Sequence, residues 1–153
     1  MWSSFHGAVG GVMVAGAAST GSPTLTALSL VAAFISHSPV DYIGETRYKS
    51  IKESAIFEGA MLAAYGIASL ISSVSVWVLI AAWISANLPD IIDNYRMLVL
   101  KKPKWFACHN GVGLFQYKGF KLGYPVRIKL SYKQTVVLNI LATIAYCLYV
   151  ILK

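Results

Sequence analysis

Thr135-Val-Val-Leu-Asn-Ile-Leu-Ala-Thr-Ile-Ala-Tyr-Cys-Leu-Tyr-Val-Ile-Leu152 runs for 18 residues without a charge. A helix crossing a bilayer needs about 20 such residues, within a range near 17–25. Tyr132 and Lys133 precede the run and Lys153 follows it, as interfacial anchors do. This stretch therefore predicts a spanning helix.

Two longer uncharged runs lie before it, Met1 to Val40 and the 31 residues from Gly59 to Pro89. Each is too long for one span and is broken by a cluster of turn-forming residues. Thr20-Gly-Ser-Pro23 interrupts the first, and Ser72-Ser73 with Ser75 the second. The pattern predicts helices over about Phe5–Ser19, Thr24–His37, Ser54–Ser72, Val74–Ala86 and Thr135–Leu152. The expected fold is all-α: one membrane-embedded helical domain over 1–153, with helical hairpins 5–37 and 54–86. A polar basic loop or β-hairpin over 95–132 then leads into the C-terminal transmembrane helix 135–152.

Composition agrees with this reading. The chain is 57% apolar and 12% charged, against about 25% charged in ordinary soluble domains. That shortage of charge excludes a disordered chain. Two cysteines, Cys108 and Cys147, exclude a disulfide scaffold. The segment before Asp41 lacks the positive start of a cleavable signal peptide.

Of the 13 basic residues, Arg47, Lys49 and Lys52 fall between the two expected hairpins. All the others except Lys153 lie between Arg96 and Lys133. If both hairpins form, these loops share one side, and the positive-inside rule makes that side cytoplasmic. The net charge of +7 then reports topology, and also attraction to anionic headgroups among the membrane lipids.

Phe34-Ile-Ser-His-Ser-Pro-Val-Asp-Tyr-Ile-Gly-Glu45 aligns without gaps with Trp83-Ile-Ser-Ala-Asn-Leu-Pro-Asp-Ile-Ile-Asp-Asn94. Both read aromatic-Ile-Ser, then an Asp five residues after the Ser, as a duplicated unit would. The expected topology gathers His6, His37, Asp41, Glu45, Glu58, Asp90, Asp93 and His109 at one end of the helices. Ionisable groups at membrane depth are costly and are usually paired, ligated or functional.

His37 and Asp41 have the i, i+4 spacing of one helix face. Pro39 disfavours helix at Ser38, so Ser38 could instead cap a new short helix carrying Asp41 in its first turn. Imidazoles from His6, His37 and His109 with carboxylates from Asp41, Glu58 and Asp90 suit a divalent metal. Zn²⁺ fits best, with Mn²⁺ or Fe²⁺ if more oxygen ligands take part. The bland alternatives are an imidazole–carboxylate pair at His37 and Asp41, and helix-dipole roles for Asp90 and Asp93. No phosphate loop, nucleophile elbow or Cys-x-x-Cys is present. Gly10, Gly11 and Gly16 read as close helix packing, and Cys147 as packing within its helix.

An early His before a small-residue helix, Ile35-Ser36-His37-x-x-x-Asp41, Leu88-Pro89-Asp90 and Phe106-x-x-His109-Asn110 together resemble a known family. It comprises small bacterial and phage membrane-bound metal-dependent hydrolases of the LexA-regulated type, themselves distantly similar to zinc-dependent phospholipase C and P1-type nucleases. The resemblance implies a bacterial inner-membrane protein with metal ligands His6, His37, Asp41, Asp90 and His109, and Glu58 at the acidic position of the third helix. It also implies hydrolysis of a phosphoester substrate such as a phospholipid or lipid-linked phosphate, with Asp41 or Asp90 as the catalytic base. Where the family has His-Arg-Gly followed by Thr-His-Ser, this chain has His109-Asn110-Gly111 and no later His. The alternative is a non-enzymatic membrane protein with a structural His/Asp cluster and a loop that docks a partner. Nucleic-acid binding by the aromatic and basic loop ranks last, because next to a membrane such a loop lies on anionic headgroups.

Overall fold

The structure, a computed structural model, describes residues 3–44, 50–106, 116–117, 120–121 and 128–153. Among them are five helices: α1 (Ser3–Ala18), α2 (Pro23–Tyr42), α3 (Ile51–Ile71), α4 (Val76–Leu98) and α5 (Tyr132–Ile151). Extended structure amounts to two-residue pairs. β1 (Ile43–Gly44) runs parallel to β4 (Ile128–Lys129), and β2 (Gln116–Tyr117) antiparallel to β3 (Phe120–Lys121). The fold is all-helical, and α2 to α5 are each long and apolar enough to cross a membrane.

Local chemistry sets the helix ends. The Ser19 and Thr20 hydroxyls close α1 on the Gly16 and Ala17 carbonyls, and Gly21 turns the chain at φ +72°. Ser22 accepts from the Leu25 amide, with Pro23 at the first helical position. Ser50 caps α3 through the Glu53 amide, and Ser131 with Gln134 forms a capping box on α5.

Two expected boundaries are corrected. α2 does not stop at His37, nor does a new helix start at Ser38; it runs on through Pro39 to Tyr42. α4 does not stop at Ala86 but passes through Pro89 to Leu98. A proline forfeits one backbone bond, and in a membrane bundle packing around the ring compensates for it. Ala86, Asn87, Pro89 and Asp93 are all buried, so the continued helix keeps a packed face that a break would expose.

The arrangement also differs from two plain hairpins. α1 packs closely on α2, α4 and α5, and so forms the centre of the bundle. α3 lies along α5 and only grazes α4, its neighbour in sequence. The glycines of α1 allow this. A Cβ on Gly10 would sit 2.7 Å from Ala86 Cβ, and one on Gly11 would sit 2.3 Å from Tyr146 Cε2.

Many buried positions are small or polar, including Ser4, His6, His37, Asn87, Asn139 and Thr143, beside a few larger ones such as Phe5, Leu79 and Tyr146. Large apolar residues face outward: Leu70 is 81% exposed and Trp77 75%. A soluble domain has the reverse distribution; a bundle in hydrocarbon, without a solvent-driven core, has this one. At one end Tyr132 donates to Glu53 Oε1, joining the starts of α3 and α5. At the other the Ser73 hydroxyl donates to the Lys153 carbonyl at 2.5 Å, joining the α3–α4 turn to the end of α5.

Candidate metal centre

Ser4 fixes the start of α1 from three sides. Its amide donates to Glu58 Oε2 at 2.9 Å, its hydroxyl to Asn139 Oδ1 at 3.1 Å, and its carbonyl accepts from Tyr65 Oη at 2.5 Å. The first amides of a helix have no partner within it, so a carboxylate from α3 both satisfies one and favours the positive helix end. His6, two residues on, is thereby held 1% exposed at the centre of the bundle.

His37 comes from α2 and stacks on His6, with ring centroids 3.9 Å apart and planes 12° from parallel. Its Nδ1 lies 2.8 Å from the Ala86 carbonyl oxygen on α4. A carbonyl can only accept, so Nδ1 carries the hydrogen, and in the neutral ring Nε2 is left as a lone pair. That Nε2 faces Asp41 Oδ2 at 3.3 Å and Asp90 Oδ1 at 3.8 Å. The second oxygen of Asp41 lies 3.3 Å from His6 Nε2, off the axis a hydrogen bond requires. Neither ring nitrogen of His6 has a hydrogen-bond partner among the described residues, although both are buried.

The two carboxylates and His37 Nε2 thus point electron pairs at one small region, with His6 Nε2 3.3 Å from Asp41 beside them. Carboxylate oxygens facing imidazole lone pairs repel unless a cation lies between them, either a proton on an imidazole or a metal ion. Buried charge of one sign is too costly to leave uncompensated. His6, His37 and Asp90 each offer a ligand atom within 4.8 Å of the others, so this group could hold a metal ion. The bond from His37 Nδ1–H to a backbone carbonyl is the outer-shell contact that orients a ligating imidazole. Asp41 is nearly as buried as the rings, whereas about a third of the Asp90 side chain is exposed.

The other expected site residues have different places. Glu58 is not in the group that meets these criteria; it receives the Ser4 amide. Asp93, 1% exposed, accepts from the Trp105 amide at 2.6 Å and from the Phe106 amide, and so folds the segment after α4 back onto that helix. The Phe106 ring meets Phe34 edge-on, and Arg96 lies 5.4 Å over the Trp105 ring. Cys147 packs between α5 and α3, its Sγ 3.7 Å from the Ala64 carbonyl. His109, Cys108 and Glu45 lie outside the described residues.

Ser4, Tyr65 and Asn139 were not singled out from the sequence, yet they hold His6 in place. Tyr65 and Asn139 are polar residues within otherwise apolar helices, which is the signal that marks them. Comparison with protein-family models, with curated proteins and with solved structures returned no match to this chain.

Proposed function

We propose that this chain is a membrane-bound metal-dependent hydrolase acting on a phosphoester, such as a phospholipid or lipid-linked phosphate. The observation that carries the reading is the buried His6 imidazole, left without a hydrogen-bond partner beside a second imidazole and two carboxylates. An orphaned buried nitrogen is costly unless something absent from the protein atoms receives it. The donor set of two imidazoles with carboxylates suits Zn²⁺, and Mn²⁺ or Fe²⁺ less closely. His6, His37 and Asp90 would hold the ion, with Asp41 bridging both rings. A divalent ion there supplies Lewis acidity toward a phosphoryl oxygen and makes water nucleophilic at neutral pH.

The chain's own residues divide the remaining work by exposure. Asp41, buried at the Nε2 edge of the stacked imidazoles, contacts both rings and keeps them aligned. Asp90 is the carboxylate that water and substrate can reach, so it is the better placed to take a proton from the attacking water. The basic residues beyond α4, including Lys101, Lys102 and Lys104, would attract an anionic substrate. By the positive-inside rule this end faces the cytoplasm, in a bacterial inner membrane if the family resemblance holds.

Purified protein in detergent, assayed for bound transition metal and for phosphate or headgroup release from phospholipid vesicles, tests the reading. The expected result is about one or more metal ions per chain, with lipid hydrolysis lowered at least ~100-fold in Asp90→Asn. A folded, metal-free protein that gains no activity on metal addition overturns it. A second reading, a purely structural imidazole–carboxylate cluster, is favoured by Asp41 reaching both rings at 3.3 Å. It predicts that His37→Ala unfolds the protein and that no metal is bound.

A further inference from the structure

The wide separation of α3 from α4 leaves a cleft of about 220 Å³. Its α3 wall includes Leu62 and Gly66, and its α4 wall Val76, Ile80 and Trp83; Gly7 of α1 lies at its base. This is larger than the roughly 150 Å³ apolar cavity that stays dry and accepts benzene. The polar groups of Tyr65 and Ser69 on its wall are already committed: Tyr65 Oη donates to the Ser4 carbonyl, and Ser69 Oγ to the Tyr65 carbonyl at 2.7 Å. Trp83 Nε1 is the uncommitted donor on the wall; a buried water needs two to four polar partners, so the cleft suits a largely apolar occupant.

Its direction is informative. One end lies at Gly7, one helix position from His6, where a Cβ on Gly7 would fall 2.2 Å from Trp83 Cδ1; His6 itself points to a different side of α1. From Trp83 the cleft runs along α4 to Val76, about 10 Å at the helical rise, away from the polar end. Leu70 and Trp77, on the same two helices, are among the most exposed apolar side chains of the chain. Both helices bounding the cleft are long enough to cross a bilayer, so the medium outside it is lipid.

We propose that the cleft between α3 and α4 binds one acyl chain of a bilayer phospholipid, entering sideways between these helices and placing its headgroup at the His6–His37–Asp90 group. This rests on the hydrolase reading for the headgroup, whereas the chain site is tested on its own. The full-length protein is placed in vesicles containing phosphatidylcholine with a diazirine in mid-acyl chain, irradiated, and mapped by peptide mass spectrometry. Labelling is expected at Tyr65, Leu79 or Trp83 inside the cleft, as well as at the outward-facing Leu62, Leu70, Trp77 and Ile80. An added Cβ on Gly66 meets nothing within 4 Å, so Gly66→Leu fills the cleft without a clash at that atom. It should lower cleft labelling at least fivefold, with Leu70 and Trp77 labelling unchanged.

Labelling of Leu70 and Trp77 without the cleft residues in the parent protein overturns the proposal, with no variant needed. Cleft labelling that survives in a folded Gly66→Leu also overturns it. Metal content measured on the same samples separates the two readings. Cleft labelling on a metal-free chain keeps the acyl site and removes the hydrolase, and metal without cleft labelling does the converse.

Discussion

His37 and Ala86 occupy equivalent positions in the two aligned segments Phe34–Glu45 and Trp83–Asn94, and they touch: His37 Nδ1 lies 2.8 Å from the Ala86 carbonyl oxygen. The equivalent aspartates, Asp41 and Asp90, then both approach Nε2 of the same imidazole. The second segment, lacking a histidine, supplies the backbone acceptor that orients the histidine of the first. A helix pair built from similar segments thus gives an asymmetric site.

Loss of that imidazole should empty the site without dismantling the bundle. His37→Ala is expected to lose bound metal by elemental mass spectrometry and to keep its helical circular dichroism. Chelation of the parent should lower its melting temperature, since a ligand of the folded state stabilises it by mass action; the His37→Ala melting curve should not respond.

Helix α1 depends on close approach. Gly10→Ala puts a methyl 2.7 Å from Ala86 Cβ, and overpacking of this kind costs about 1–3 kcal/mol. Because Ala86 also holds His37, metal affinity should fall with stability. Gly59→Ala is the contrast: a Cβ there meets nothing within 4 Å, and alanine favours helix by about 1 kcal/mol. Thermal unfolding of the two variants should shift in opposite directions.

Tyr65→Phe removes the hydroxyl that holds the Ser4 carbonyl and also lies 3.2 Å from Thr143 Oγ1. The Ser4 carbonyl keeps its bond within α1, so losing this additional one costs about 0.5–1.5 kcal/mol. Tyr65 reaches His6 only through the Ser4 backbone, so the variant should fold, melt lower and bind metal more weakly by competitive chelator titration.

Asp93→Ala frees the Trp105 and Phe106 amides. The segment Lys101–Phe106 then loses its anchor, and limited trypsin digestion should cut after Lys101 or Lys104 several-fold faster than in the parent. Metal content should be unchanged, since Asp93 is not among the grouped ligands. A parallel loss of metal would mean that Asp93 supports the site directly.

By itself the sequence determined a set of apolar helices and their turns, because uncharged runs and turn clusters report locally on burial and chain reversal, but it ended α2 and α4 too early. It also marked His6, His37, Asp41 and Asp90 as one group, since ionisable residues are rare in such apolar stretches, although Asp90 lies inside α4 and not at its end. Tertiary structure decided what each carboxylate does there. Glu58, Asp90 and Asp93 all lie within apolar helices, yet one receives the start of α1, one faces an imidazole and one ties down the segment after α4. Local sequence does not encode that choice, because it depends on which neighbouring helix presents an amide and which presents an imidazole. Packing likewise overrode Pro39 and Pro89, whose local preference is to end a helix. It also set α3 against α5 rather than α4, so that adjacency along the chain did not become adjacency in space.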